Sequence, residues 1–272
     1  MIVIKNLINL IYTKIRFYFL IINFRLLKKT KKKLSSFEIK VIDDLEKKGF
    51  SIVENYLSKE QCKELCNKIR LYIENNSTKI YEGKYSSDKR IFGAEYIDHQ
   101  INKYYNSNDL KQIGNFYMKC ELENLMTMAN ETTYKDNNLG SGEGWHRDSV
   151  NKQFKSILYL ENVNTNNGPF QFLKNSNKVL DIVRDNSILN KEIKNTRYTD
   201  DEVKKLLKND TTRIQTLNYK AGTLILIDTS SIHRGAPIKF GTRYALTNYY
   251  YPKKIILDYK DHFKPMLNKF EY

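Results

Sequence analysis

Histidine occurs four times in the 272 residues, at 99, 146, 233 and 262. His146 stands two residues before Asp148 in the run GWHRDS. In an extended segment, side chains two apart share a face, so this imidazole and carboxylate converge. A second segment, AGTLILIDTSSIHRGAPIKFGTRYALTNYY, leads a strongly apolar strand into His233 and places Arg243 ten residues later on another strand. Two imidazoles and one carboxylate on a rigid β scaffold form the facial triad of non-haem Fe(II) oxygenases, which leaves three coordination positions open. An arginine on a neighbouring strand suits the far carboxylate of a dicarboxylic co-substrate, because its planar fork binds through two parallel hydrogen bonds. His99 and His262 have no such company and read as surface or packing residues. Arg147 should point away from its two inward-facing neighbours. Arg234 reads equally as a ligand for an anionic substrate and as a strand cap. On the strand of Arg243, Ala245 and Thr247 share its face, whereas Tyr244, Leu246, Asn248 and Tyr250 face the other way and should pack.

These residues need a frame. Ser36 followed by FEIKVIDDLEKKG reads as a three-turn helix stopped by Gly49, and FSIVENY (50–56) alternates as a short strand. Ser58 and Gln61 make a capping box that opens a helix to about Asn75. Cys62 and Cys66 lie one turn apart on it, with no second ligand pair near, so they read as a packed face. The stretch 79–131 mixes strand and helix signals. Strands are then expected at Lys155–Leu160, Phe170–Leu173, Thr212–Asn218, Thr223–Asp228 and Arg243–Tyr251, separated by turns such as NTNNGP (164–169). A helical insertion at about 179–210 interrupts them, with a capping box from Thr199 to Glu202. The pattern predicts an α+β fold, mainly β, built around a sandwich or small barrel behind N-terminal helices.

The net charge of +15 sits mostly at one end. Residues 1–40 hold ten Lys and Arg against Glu38 alone, a net +9, so the other 232 residues carry only +6. Residues 1–34 read as an amphipathic basic segment and 35–272 as the main domain. In the first 27 residues the longest uncharged runs, Asn6–Thr13 and Phe17–Phe24, are far short of the roughly 20 apolar residues of a spanning helix. No small-residue cleavage site follows, so a signal peptide is poorly supported. Lys5, Asn9, Arg16 and Asn23 share a helical face that Lys14 and Arg25 break, and Lys28–Lys33 follows as a basic cluster. The segment reads as an interfacial helix making peripheral contact with an anionic membrane through residues 1–33; a helix packed on the domain and a snorkelling span remain open. Three cysteines make no disulfide scaffold, so a cytoplasmic location is expected, at the inner face of a membrane if the segment binds one.

The motifs together resemble the phytanoyl-CoA dioxygenase family over about three-quarters of the chain, from Gly49 to Tyr251. GFSIVENYLSKEQCKEL resembles its opening strand and helix, GWHRDS its proximal metal motif, and SILYLENVNTNNGPFQFLKNSNK the strand–turn–strand that follows. AGTLILIDTSSIHRGAP and GTRYALTNYY resemble its distal histidine and co-substrate arginine. The resemblance implies a double-stranded β-helix (jelly-roll, cupin-like) binding Fe(II), 2-oxoglutarate and O2. His146, Asp148 and His233 would hold the metal and Arg243 the co-substrate, with Met128 and Arg90 as possible neighbours. The implied reaction is C–H oxidation of a small organic or lipid-linked substrate, with release of succinate and CO2. Asp148 fills the position that halide occupies in related halogenases, so hydroxylation is favoured. One departure is NSNK (175–178), where the family has a Gly-Ser-His-like turn; it is expected to bear on substrate fit. The insertion would overhang the open end of the barrel, where Lys191, Lys194 and Arg197 could grip substrate or merely cover the core.

Two other classes compete. One is a non-catalytic membrane-surface β-sandwich module with a vestigial metal site. The other is a nucleic-acid binder, disfavoured because the basic run is compact and lacks an interleaved aromatic platform, so no nucleic-acid partner is expected.

Overall fold

Alternation along the strands sorts the core into two layers. The protein, described here from a computed structural model, is defined over residues 2–22, 34–75, 79–84 and 86–268. Its strands are β1 (Phe50–Val53), β2 (Tyr81–Glu82), β3 (Asp88–Phe92), β4 (Leu122–Thr133), β5 (Trp145–His146), β6 (Phe154–Tyr159), β7 (Phe170–Leu173), β8 (Arg197–Tyr198), β9 (Ile214–Leu217), β10 (Leu224–Asp228), β11 (His233–Gly235) and β12 (Thr242–Pro252). Seven form a major sheet in the order β1-β10-β6-β12-β4-β3-β2, and five form a minor sheet in the order β8-β5-β11-β7-β9. On β10, Leu224 and Leu226 face the helices while Ile225 and Ile227 face the minor sheet, as the period of two requires.

The inter-sheet core combines Ile157, Tyr159, Ile225, Ile227 and Ala245 of the major sheet with Phe170, Phe172 and Leu217 of the minor one. Behind the major sheet, Val41, Ile42 and Leu45 of helix Ser36–Lys48, Leu65 and Ile69 of helix Lys59–Glu74, and Ile113 of helix Asn108–Met118 cover its outer face. The result is a double-stranded β-helix with flanking N-terminal helices. Cys62 is buried in that helix layer, as a packed face should be.

The expected caps at Ser58 and Thr199 form, each with a reciprocal side-chain bond. The first helix is capped by Ser35 rather than Ser36, because Ser35 is extended and its hydroxyl accepts from the Glu38 N–H while Glu38 reaches back. Gly49 closes that helix at φ 83°, a left-handed conformation that glycine adopts without steric cost. The strand expected at Thr212–Asn218 begins as a 3-10 turn, Thr211–Arg213, and becomes strand only at Ile214. The insertion contains a helix the sequence reading did not place, Val179–Ile188, as well as Asp200–Leu207. Val179–Ile188 packs against the N-terminal helix Ile2–Ile21. The basic cluster Lys28–Lys33 and Arg25 lie outside the described residues. Among the described residues no helix is long and apolar enough to cross a membrane.

One buried carboxylate ties the layers together ahead of His233. Asp228 ends β10 with no exposed surface. It accepts from the Tyr117 hydroxyl at 2.7 Å, the Gln153 N–H at 3.1 Å, the Asn177 amide at 3.2 Å, and the Ser230 N–H and hydroxyl at 3.0 and 2.6 Å. Asp228→Ala would strand several of these donors away from water. It should lower unfolding stability by about 3 kcal/mol, read from the urea midpoint.

Candidate active site

Strand register brings the two histidines together. β11 pairs with β5 so that His233 lies directly opposite His146, and on its other side His233 pairs with Phe172 of β7. The imidazole centroids are 4.3 Å apart. Phe170 stacks on the His233 ring at 5.3 Å. Asp148 follows β5, with its N–H bonded to the carbonyl of Thr229 at 3.2 Å. Its Oδ1 lies 3.6 Å from Nε2 of His146 and 4.0 Å from Nε2 of His233. One ligand atom from each of the three residues falls within 4.8 Å of the others.

Both imidazoles are presented with the same nitrogen inward. Nδ1 of His146 lies 2.9 Å from the Gly144 carbonyl, and Nδ1 of His233 lies 2.9 Å from the Ser231 carbonyl. A carbonyl only accepts, so each Nδ1 carries the proton and each Nε2 keeps a free lone pair. Burial pushes both histidines below their ordinary pKa, His146 to about 3 with the neighbouring His233 adding to the effect, so both are neutral at pH 7. Neutral imidazole is the metal-binding form. Burial alone would raise the Asp148 carboxyl, but the Lys155 ammonium beside it holds it well below the usual carboxylate range. Two neutral nitrogens and an ionised oxygen, spaced this closely, fit a ferrous ion by donor chemistry.

The loop before β5 fits against this cluster. Gly142 has φ 85°, and a Cβ there would lie 2.5 Å from Cε1 of His146. Only glycine allows both the backbone conformation and the close approach.

The His146–Asp148–His233 cluster opens into a cavity of about 600 Å3, and Arg243 lines the same cavity. Arg243 is buried, donating to the Gly168 carbonyl and, at 3.2 Å, to the Thr132 hydroxyl, while its Nε has no partner. Burial lowers its pKa, and its hydrogen-bond acceptors are all neutral oxygens. Arg90 reaches the cavity too, but both its Nε and its Nη2 are bound to the Asp88 carboxylate, at 2.8 and 2.5 Å. Arg243 is therefore the better placed of the two to take a new carboxylate. Met128, Ala245 and Thr247 also line the cavity, as expected from their positions.

Several expectations resolve in detail. Arg147 points away from the metal ligands and donates to Tyr198 Oη and to the carbonyls of Ser176 and Ser230. Arg234 lies over Trp145 at 4.3 Å and pairs with Asp200 at 2.7 Å, which favours its structural reading. The NSNK turn does not line the cavity. Instead the Ser176 hydroxyl accepts from Ile232 N–H beside His233, so this departure supports the strand rather than substrate fit. Of the three insertion cations only Arg197 reaches the cavity, held by the Gly142 carbonyl at 2.5 Å. Lys191 is tied to Glu202 and Lys194 to Glu192, so these two act as cover. His262, read as surface or packing, stands at the rim edge-on to Phe263.

The residue that sequence reasoning missed is Lys155. It faces inward from β6, 7% exposed, with its Nζ 2.7 Å from Asp148 Oδ2 and 4.1 Å above the Tyr249 ring. Burial disfavours its charge, but the Asp148 carboxylate more than offsets this and raises its pKa. The pairing occupies Oδ2 and leaves Oδ1 toward the histidines. A lysine within a strand buried at every position was the available signal. Lys155→Met keeps the stem and removes the charge. It should weaken Co(II) affinity by about ten- to a hundredfold, measured by titration of the visible absorption, and lower the thermal midpoint of the metal-free protein, because the Asp148 carboxylate loses its partner.

The family model for phytanoyl-CoA dioxygenase (PhyH) matches residues 45–239. No curated protein matches the sequence. Among solved structures, the non-haem α-ketoglutarate-dependent epimerase SnoN from nogalamycin biosynthesis is similar at TM-score 0.58 and 11% identity, over 79% of this chain and 83% of that one. HygX from Streptomyces hygroscopicus, with nickel and 2-oxoglutarate bound, is similar at TM-score 0.55 and 10% identity, over 81% and 88%. A prolyl-4-hydroxylase from Pseudomonas putida follows the same fold at TM-score 0.53 and 14% identity, over 79% and 99%. With the family match spanning well over half of its length, the chain belongs to the phytanoyl-CoA dioxygenase family of Fe(II)- and 2-oxoglutarate-dependent oxygenases.

Proposed function

We propose that this oxygenase hydroxylates a C–H bond of a small organic or lipid-linked substrate, with 2-oxoglutarate converted to succinate and CO2. The observation that carries the reading is the cross-strand histidine pair with Asp148 beside it, in one cavity with an arginine that has no carboxylate partner. His146, Asp148 and His233 would hold the iron. When bound, iron with 2-oxoglutarate supplies the activation of O2 for C–H oxidation. Arg243 binds the distal carboxylate of 2-oxoglutarate through its fork and orients the co-substrate. Lys155 pairs with Asp148 Oδ2, so the carboxylate would offer Oδ1 to a metal. A carboxylate ligand at this position leaves no place for halide, which favours hydroxylation over halogenation. The buried aromatic lining, Tyr159 and Phe170 among it, keeps water from the cavity floor.

In this reading the enzyme works in the cytoplasm, with its N-terminal segment in peripheral contact with a membrane. The SnoN and HygX structures hold nogalamycin RO and hygromycin B respectively, small molecules that match the class of substrate proposed.

Purified protein given Fe(II), 2-oxoglutarate and O2 should release succinate. His146→Ala, Asp148→Ala and His233→Ala should each abolish that release; full turnover in any one would refute the ligand set. Arg243→Lys keeps a charge but loses the fork, so the KM for 2-oxoglutarate should rise by about ten- to a hundredfold, equivalent to roughly 1.5–3 kcal/mol, while Fe(II) binding persists.

A further inference from the structure

The N-terminal helix Ile2–Ile21 has two faces with different roles. One is fixed to the domain. Asn6, Leu10 and Ile21 are at most 3% exposed. Leu10 packs with Val150, Ile182, Val183 and Ile193. The Asn6 amide donates to the Lys191 carbonyl at 2.8 Å, and the Lys14 ammonium to the Val150 carbonyl at 2.6 Å. This explains why Lys14 breaks the polar stripe: it belongs to the face that grips the domain. The Lys254 ammonium also reaches the Ile22 carbonyl at the end of the helix, at 2.9 Å.

The opposite face is apolar and exposed. Ile4, Ile8, Ile11, Ile15 and Phe19 follow one another at spacings of three and four, with Tyr12 beside them, and each is between 43% and 75% exposed. Such a continuous stripe is unusual on a soluble surface and marks a contact. Exposed Arg16 borders it along one edge, beside Lys5, whose ammonium is paired with Glu192 at 2.5 Å. No Asp or Glu occurs before Glu38 in the sequence, while the segment through Lys33 carries nine Lys and Arg. A second copy of this helix would therefore meet the face with like charge, and Glu192, the acid beside Lys5, is already paired with Lys5 and Lys194. An anionic bilayer supplies both an apolar interior and counter-charge.

We propose that this face docks the enzyme on an anionic membrane surface, with the Ile4–Phe19 stripe sunk to the boundary between headgroups and acyl chains and Arg16 among the headgroups. The helix lies flat, because its other face is held by the domain. This deepens the membrane contact in the proposed function and does not depend on iron or 2-oxoglutarate.

The full chain is sedimented with vesicles of phosphatidylcholine alone or mixed with phosphatidylserine. Binding should be at least about tenfold tighter to the mixed vesicles. Ile8→Ser/Ile15→Ser/Phe19→Ser alters only solvent-facing side chains, so the thermal midpoint should hold while vesicle affinity falls by about a thousandfold or more, at roughly 1.5 kcal/mol for each side chain. Arg16→Gln should weaken binding to the mixed vesicles by about fivefold, from about 1 kcal/mol for the charge, and leave the weak neutral binding in place. His233→Ala should bind like the unaltered chain, which separates a failure of docking from a failure of the metal centre. No sedimentation with either vesicle, or affinity unchanged by the triple substitution, would overturn the proposal. So would a dimer in ultracentrifugation that the triple substitution dissociates, because the stripe would then face a second copy.

Discussion

A single cross-strand pair governs this structure: His233 opposite His146 in the minor sheet. Side chains alternate along a strand, so a slip of one residue would turn one imidazole to the far side and disperse the metal ligands. The features around the pair hold that register. Phe172 pairs with His233 from the other side, and Ser176 takes the N–H of Ile232 just before it. Asp228 fixes the turn between β10 and β11 with bonds to both the turn and the helical layer. The Gly142 approach to His146 sets the opposite wall.

Charge is distributed in the cavity so that Arg90, Arg243 and Lys155 have different duties. Lys155 is paired with Asp148 and Arg90 with Asp88, each in a short contact between buried groups. Breaking such a pair leaves an uncompensated charge, which is why neither cation is free to bind a carboxylate without loss. Arg243 bonds only neutral oxygens. Of these three, Lys155 and Arg90 shape protein carboxylates and Arg243 is left to receive a carboxylate from outside; Arg197, which also reaches the cavity, is held by carbonyl oxygens.

Much of this was legible in the sequence where local rules apply. The H-x-D spacing, the apolar run into His233 and the alternation around Arg243 depend on the period of two within single strands. Phe170–Leu173 has the same bounds in sequence and structure, and the capping boxes at Ser58 and Thr199 are local too. The features that escaped are tertiary. Lys155 looks like the polar start of a strand until β6 places it against Asp148, seven residues away in sequence and across a turn. The helix Val179–Ile188 lacks a side-chain cap and is stabilised by packing against the N-terminal helix, so its own sequence announces it weakly. Lys14 looked like an error in an amphipathic pattern because the domain that it grips is 136 residues distant.

The central claim is that the paired histidines and Asp148 make one iron centre to which 2-oxoglutarate binds. The most direct measurement is the visible metal-to-ligand charge-transfer absorption when 2-oxoglutarate is added to Fe(II)-loaded protein without oxygen. The account predicts a band that saturates at one 2-oxoglutarate per chain and is lost in His233→Ala. An Fe(II)-loaded protein that gives no band, or a band that survives in His233→Ala, would contradict it.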